Sequence, residues 1–267
     1  MPITDSHCHF DFAAFGPAWG LGGKQERAAH WQRAQAVGVH RLVIPGIDSV
    51  QWPLLPRLCG EHQGLYYALG LHPWWLEEAV TDWPQQLAFA LERAVADPLC
   101  VAVGEIGLDK HLSVPQNLQE EALITQLKLA QQFKLPVILH SQGTHDRLLK
   151  WLRLYPVIGG VVHGFSGSLQ QAEAFWQLGI HLGVGGTITY ARANKTRSAI
   201  AAMPVEALVL ETDAPDMPLS GFQGQPNHPQ LLPLVLSALA ELRQMDEASL
   251  ALQLEQNVDQ LFGWSCG

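Results

Sequence analysis

One pattern constrains the fold of this chain more than any other. Short β-rich runs recur, each bounded by Gly, Pro or Asp, and each followed by a longer stretch whose apolar residues have helical spacing. The runs are Ile3–His9, Arg41–Gly46, Leu65–His72, Cys100–Leu108, Val137–Ser141, Gly160–Phe165, His181–Ile188 and Ala207–Thr212. Candidate helices lie between them at Trp83–Ala96, Gln116–Phe133, Thr144–Tyr155 and Leu169–Leu178. Asp82 and Ser168 stand where N-caps belong. Parallel strands need long crossovers, so the alternation predicts βα units, and about eight of them close a (β/α)8 TIM barrel. At 267 residues the chain matches one such barrel, and residues 1–267 are expected to form a single domain.

A solenoid would also show regular spacing, but its repeats should resemble one another. These runs share hydrophobicity and end differently, in His-Cys-His, Leu-His-Pro, Gly-Glu-Ile-Gly, Leu-His-Ser, Val-His-Gly and Glu-Thr-Asp. In a barrel all those ends face one mouth, where active sites are built. After the eighth run, a Gly/Pro-rich loop at Pro218–Pro229 leads to helical stretches at Gln230–Arg243 and Glu247–Phe262, the last an addition to the barrel.

The run ends carry the chemistry. Side chains alternate along a strand, so His7 and His9 point one way and Cys8 the other, as a packed thiol. Glu105 ends an otherwise apolar run, where an unpaired carboxylate is costly and calls for a cation. His140 and His163 each close an aliphatic run, and Asp213 closes the eighth beside the first. Four His, one Glu and one Asp exceed the needs of one open tetrahedral site and suit two metals that share a carboxylate. Glu105 is the expected bridge, with His7, His9 and Asp213 on one ion and His140 and His163 on the other. Both Glu105 and Asp213 are candidate catalytic groups, Asp213 as the one that orients or deprotonates metal-activated water. Mixed His and carboxylate ligands leave Zn, Mn, Ni and Mg as candidate ions. His72 could contact a substrate phosphate or brace the turn before Pro73. Asp109 fits a cap or a partner to a ligand, and Glu211 a structural hydrogen bond. Lys110, Arg192, Lys195 and Arg197 read as solvated loop charges.

Composition narrows the partners. Hydrophobic residues at 48% and charged residues at 15% can fill a large core. A formal net charge of −9 argues against a broad basic nucleic-acid surface, so any such contact should be local. The four cysteines, Cys8, Cys59, Cys100 and Cys266, form no C-x-x-C pair, which suits a reducing cytoplasm. No leader and no apolar run near the ~20 residues of a membrane span is evident. The expectation is a cytoplasmic monomer.

With these residues in view, the chain resembles the TatD family of metal-dependent hydrolases, nearest its YjjV-type members, over almost its whole length. The resemblance rests on Asp5-Ser6-His7-Cys8-His9-Phe10-Asp11, Gly70-Leu71-His72-Pro73, Gly104-Glu105-Ile106-Gly107-Leu108-Asp109, Pro136 to Ser141, His163-Gly164-Phe165-Ser166-Gly167 and Glu211-Thr212-Asp213-Ala214-Pro215. It implies a barrel of the amidohydrolase-like group, divalent metal at the six residues above, and a TatD-type deoxyribonuclease that hydrolyses ester bonds at DNA ends or in small phosphodiesters. The rival expectation is hydrolysis of an amide, lactone or carboxylic ester at the same site. Two segments depart from the family pattern. Lys110-His111-Leu112 replaces an aromatic or basic continuation, and Gln225-Pro226-Asn227 keeps an Asn without the preceding Arg. Asn227 is carried over as a substrate-binding residue, alongside His72.

Overall fold

The computed structural model describes residues 1–17 and 21–264. Its strands are β1 (Ile3–Asp5), β2 (Val39–Ile44), β3 (Leu65–Leu69), β4 (Cys100–Asp109), β5 (Val137–Gln142), β6 (Gly160–Val162), β7 (Ile180–Val184) and β8 (Leu208–Leu210). All pair in parallel, in chain order within one eight-stranded sheet. The amide of Ser6 donates to Leu210 O at 2.9 Å and that of Asp213 to His7 O at 2.9 Å, which joins the last strand to the first and closes the barrel.

Around the sheet run α1 (Leu21–Ala36), α2 (Leu55–Gly60), α3 (Trp83–Ala94), α4 (Gln116–Phe133), α5 (His145–Leu154), α6 (Leu169–Trp176), α7 (Asn194–Ala202), α8 (Leu232–Arg243) and α9 (Glu247–Phe262). Ser168 caps α6 in a capping box with Gln171. Asp82, expected to cap α3, makes no such bond and instead accepts from Gln86 Nε2 at 3.1 Å.

Helices pack on the outside of the sheet through a large apolar layer. A smaller layer, with Val43, Ala68, Ile138, Val161 and Val209, meets Val258, Leu261 and Phe262 of α9. By alternation Ile138, Val161 and Val209 share a face with His140, His163 and Asp213, so this layer lies inside the barrel beneath the polar strand ends. The end of α9 therefore closes the floor. Arg41 ties it there, 2.7 Å from Glu255 and 2.6 Å from Asp259, with its guanidinium over the Trp264 ring.

Five strands, β1, β3, β6, β7 and β8, are shorter than expected, and three of the differences bear on the expected ligands. β1 ends at Asp5, β6 at Val162 and β8 at Leu210, so His7, His9, His163 and Asp213 stand just beyond the ladder. Around β1 the cause is visible: the buried Asp5 carboxylate accepts from Thr212 N, Thr212 Oγ1 and His7 N, which replaces ladder bonds with side-chain bonds. Cys8, Cys59 and Cys100 are buried free thiols, and Cys266 lies outside the described residues. No helix among the described residues is long and apolar enough to cross a membrane.

Candidate functional site

The exits of β1, β3, β4, β5, β6 and β8 each deliver one or two polar groups to the barrel mouth. Past β1, the chain stays extended, with Cys8 N bound to Val43 O and His9 N to Ala214 O. Alternation then brings the Nε2 atoms of His7 and His9 within 3.4 Å of each other, while Cys8 packs away into the core.

Glu105 enters from β4, at a register shift between Val103 and Ile106. Irregularities of this kind re-aim side chains beside active sites. The carboxylate is 2% exposed and is surrounded by imidazoles. Its Oε2 lies 3.4 Å from His7 Nε2 and 3.5 Å from His9 Nε2. Its Oε1 lies 3.0 Å from His140 Nδ1, 2.9 Å from His163 Nε2 and 3.4 Å from His72 Nε2. Asp213 approaches from the far side, with Oδ1 3.4 Å from His7 Nε2 and 3.6 Å from His9 Nε2. Its backbone is left-handed, with φ of 56°, a conformation Asp tolerates better than most residues.

All six expected ligands thus converge, and His72 joins them. Three groupings hold potential ligand atoms close together: His7, His9 and Glu105; His7, His163 and Asp213; and His72, Glu105 and His140. These side chains are able to bind metal. The Glu105 Oε2 atom is buried without a hydrogen-bond donor, as a carboxylate aimed at a cation would be.

Electrostatics agree with that fit. Burial works to raise Glu105, but His163, His72, His7 and a hydrogen bond from His140 outweigh it and hold the carboxyl well below its ordinary range. Asp213 is lowered too, against burial, by His7 and then His163. Burial depresses His9 to about 4 and His72 to about 3, and lowers His163. The rings of His9 and His163 keep a lone pair for ligation near neutral pH, whereas the Nδ1 lone pair of His72 is already engaged by Trp74 N. Burial also opposes charge on His7, yet Glu105 and Asp213 hold it well above the usual histidine range. His140 likewise overcomes burial and rises to about 9, through Asp109 and then Glu105. The carboxylates of Glu105, Asp213 and Asp109 thus favour positive charge on His7 and His140, the charge that bound cations would supply instead.

Supporting groups explain the placement. Asp109 Oδ2 lies 3.3 Å from His140 Nε2 and fixes the ring whose Nδ1 faces Glu105. Glu211, directly beneath Asp213, accepts from Gly164 N, and burial raises its carboxyl to about 8. At Gly70 an added Cβ would sit 2.6 Å from Gly104 C and 2.9 Å from Glu105 N, so the β3 exit can pass the Glu105 backbone only as glycine.

Two glutamines on the buried face of α4 hold the neighbouring exits. Gln119 accepts from Asp109 N and donates to Asp109 O; Gln126 does the same for Leu71. Sequence reading missed both, although each interrupts an apolar helical stripe. Gln126→Leu should leave the buried Leu71 amide and carbonyl without partners and cost about 2–4 kcal/mol. Urea unfolding measures this, and a loss below ~0.5 kcal/mol would reject the clamp.

Asn227 needs correction. It was expected to meet substrate, but it is 1% exposed and donates to Thr212 O and Met217 O while accepting from His228 N. Both amide hydrogens and one lone pair of its oxygen brace the loop after β8, as a buried amide requires, which leaves no donor for a substrate. Arg197 is similarly occupied with Ile188 O, and Arg192 lies against Tyr190. None of Lys110, Arg192, Lys195 and Arg197 lines the cavity above the cluster. That cavity, about 290 Å³, is bounded by Phe12, Ile47, Trp74, Trp75 and Asp216 together with the metal-binding side chains.

A family profile described as TatD related DNase matches residues 4–263. The metal-dependent hydrolase YjjV of Escherichia coli K12 is 49% identical over 97% of each chain. The 3'-5' ssDNA/RNA exonuclease TatD of Klebsiella pneumoniae is 33% identical over 86% of this chain and 89% of that one. The crystal structure of YjjV from Escherichia coli K12 superposes with a TM-score of 0.90 at 48% identity, covering 98% of each chain.

Proposed function

The chain belongs to the TatD-related DNase family, and from that premise we propose that this metal-dependent hydrolase is a phosphodiesterase acting as an exonuclease on single-stranded DNA ends. The observation that carries the reading is the division of Glu105. One of its oxygens faces His7 and His9, the other His140 and His163, so one carboxylate serves two groups of ligands. We assign His7, His9 and Asp213 to one divalent cation, His140 and His163 to a second, and Glu105 to both, with Zn, Mn, Ni and Mg as candidates. Bound there, the cations would supply Lewis-acid polarisation of a phosphoryl oxygen and a lowered pKa for water.

The chain's own groups do the rest. Asp213, at the cavity edge and held below its ordinary pKa, is the acceptor for the proton of the attacking water. His72 can be read as a third ligand of its own grouping or as a donor, and its tautomer favours the donor. Its Nδ1 accepts from Trp74 N at 3.1 Å, so the neutral ring carries its proton on Nε2, toward the cavity. That N–H suits a non-bridging phosphoryl oxygen. A net charge of −9 and a cavity without Lys or Arg leave no track for a long backbone, which favours action at an end. The relatives named as exonucleases support the same reading.

The test is a single-stranded oligonucleotide labelled at its 3′ nucleotide, incubated with protein loaded separately with each candidate ion. Labelled mononucleotide should appear with at least one ion and be absent with His7→Ala. A parallel panel of lactones, amides and aryl esters completes it. Turnover of that panel with no phosphodiester cleaved would overturn the assignment in favour of carbonyl chemistry.

A further inference from the structure

Trp74 and Trp75 adjoin the site, and the proposed reaction leaves them without a task. Both follow His72 on a short 3-10 turn, Pro73–Trp75, and both line the cavity. They differ in burial. Trp75 is half-buried and packs on the core, whereas Trp74 is 65% exposed. The turn that displays Trp74 is fixed twice over, by His72 Nδ1 on its own amide and by Gln126 on both backbone groups of Leu71. Phe12, on another wall, has its ring 4.7 Å from that of His9 at an interplanar angle of 22°. A large indole held out beside a charged cluster on a pinned turn is a surface built to be covered.

We propose that Trp74, with Phe12, forms a stacking platform for the base of the 3′-terminal nucleotide and so selects unpaired nucleic-acid ends. The inference rests on the phosphodiesterase reading above and names the part of the substrate that this cavity takes. Its polar lining consists only of the cluster side chains and Asp216. Beyond the cluster, Asp216 is the only side chain in that lining with a carboxylate, too little to read four different base edges, so recognition goes through the π-face and tolerates every base. The volume, about 290 Å³, lies at the small end of ligand pockets, which start near ~300 Å³, and suits one nucleotide rather than a duplex. A cavity of this size admits a single base and not a base pair, so the stacked base must be released from its pairing partner. With Asp216 close by and no cation besides the metals to hold phosphate, the aromatic wall would supply much of the ground-state affinity.

The test uses full-length, metal-loaded protein and 3′-labelled oligothymidylate, with and without an abasic 3′ residue. Trp74→Ala should raise KM about 10- to 100-fold while leaving kcat within about threefold, and Trp74→Phe should recover most of the loss. The abasic end should cost wild type a similar factor and cost Trp74→Ala nothing further. A separate binding arm follows quenching of tryptophan fluorescence by a phosphorothioate trinucleotide, which should be strong in wild type and largely absent in Trp74→Ala. Cleavage with equal KM and equal quenching in wild type and Trp74→Ala overturns the platform and leaves the phosphodiesterase reading standing. Trp74-dependent quenching with no cleavage of any phosphodiester leaves the platform as a nucleotide site and removes the reading beneath it.

Discussion

Glu105→Gln is expected to lower phosphodiester turnover by on the order of 10³-fold or more and to strip metal from the protein. Glu105 is buried, sits within 3.5 Å of five imidazole rings, and accepts no compensating hydrogen bond at Oε2. Removing one partner of a buried ionic cluster costs about 3–5 kcal/mol, because the remaining charges lose their counterion. Each 1.36 kcal/mol is tenfold, so this alone accounts for roughly 10²- to 10⁴-fold in any step that needs the bound cations. Glutamine keeps the shape and one carbonyl oxygen, but its NH₂ must point at one group of imidazoles and block the lone pairs on that side. Two measurements decide the matter. Metal content should fall from the two ions per chain of the proposed assignment toward none or one, and a chelator should lower the melting temperature of wild type but hardly that of the variant, since only wild type would gain stability from bound ions. A variant that retained both ions and its rate would sink the bridging assignment.

The order and type of the strands were legible because a parallel barrel imposes one rule eight times: an apolar run, then a polar end, then a helix. The same rule exposed His140, His163 and Asp213, each a polar residue where an aliphatic run stops. The helices that went unread obey a weaker rule. α1 opens on Leu-Gly-Gly and is half polar, α2 has six residues, and α7 buries only Thr196, Ala199 and Ile200 among its nine. Little apolar periodicity survives in such segments. Strand ends were overrun for a different reason. Between β1 and β8 the Asp5 carboxylate takes over hydrogen bonds that a ladder would have made, and the chain past β8 turns left-handed at Asp213. Gln126 shows the limit most clearly, since its partner Leu71 is 55 positions away and no local pattern pairs them. Asn227 shows the converse, because a residue carried over from a family motif can be consumed entirely by its own loop.

Asp213→Asn separates holding the metals from handling the proton. The backbone at Asp213 is left-handed, and asparagine is among the few residues that accept this readily, so the loop and the bond from Asp213 N to His7 O should persist. The carbonyl oxygen of the amide can still face His7 and His9, where Oδ1 now lies 3.4 and 3.6 Å away. What asparagine lacks is a basic oxygen. Asp213 is lowered by His7 and His163, which makes it a modest base in the metal-free protein, but metal-lowered water needs only a modest acceptor. The expected result is kcat down by about 10²- to 10⁴-fold, the usual range for loss of a positioned general base, with KM little changed and metal content close to wild type. Asp213→Ala should lose the same rate and an ion as well, because it removes the oxygen that faces His7 and His9. If Asp213→Asn lost metal as fully as the alanine variant, the residue would be a ligand first and the proton would need another acceptor. If it kept both ions and full kcat, the base role would be wrong, and the proton would have to leave by a route that does not pass through this carboxylate.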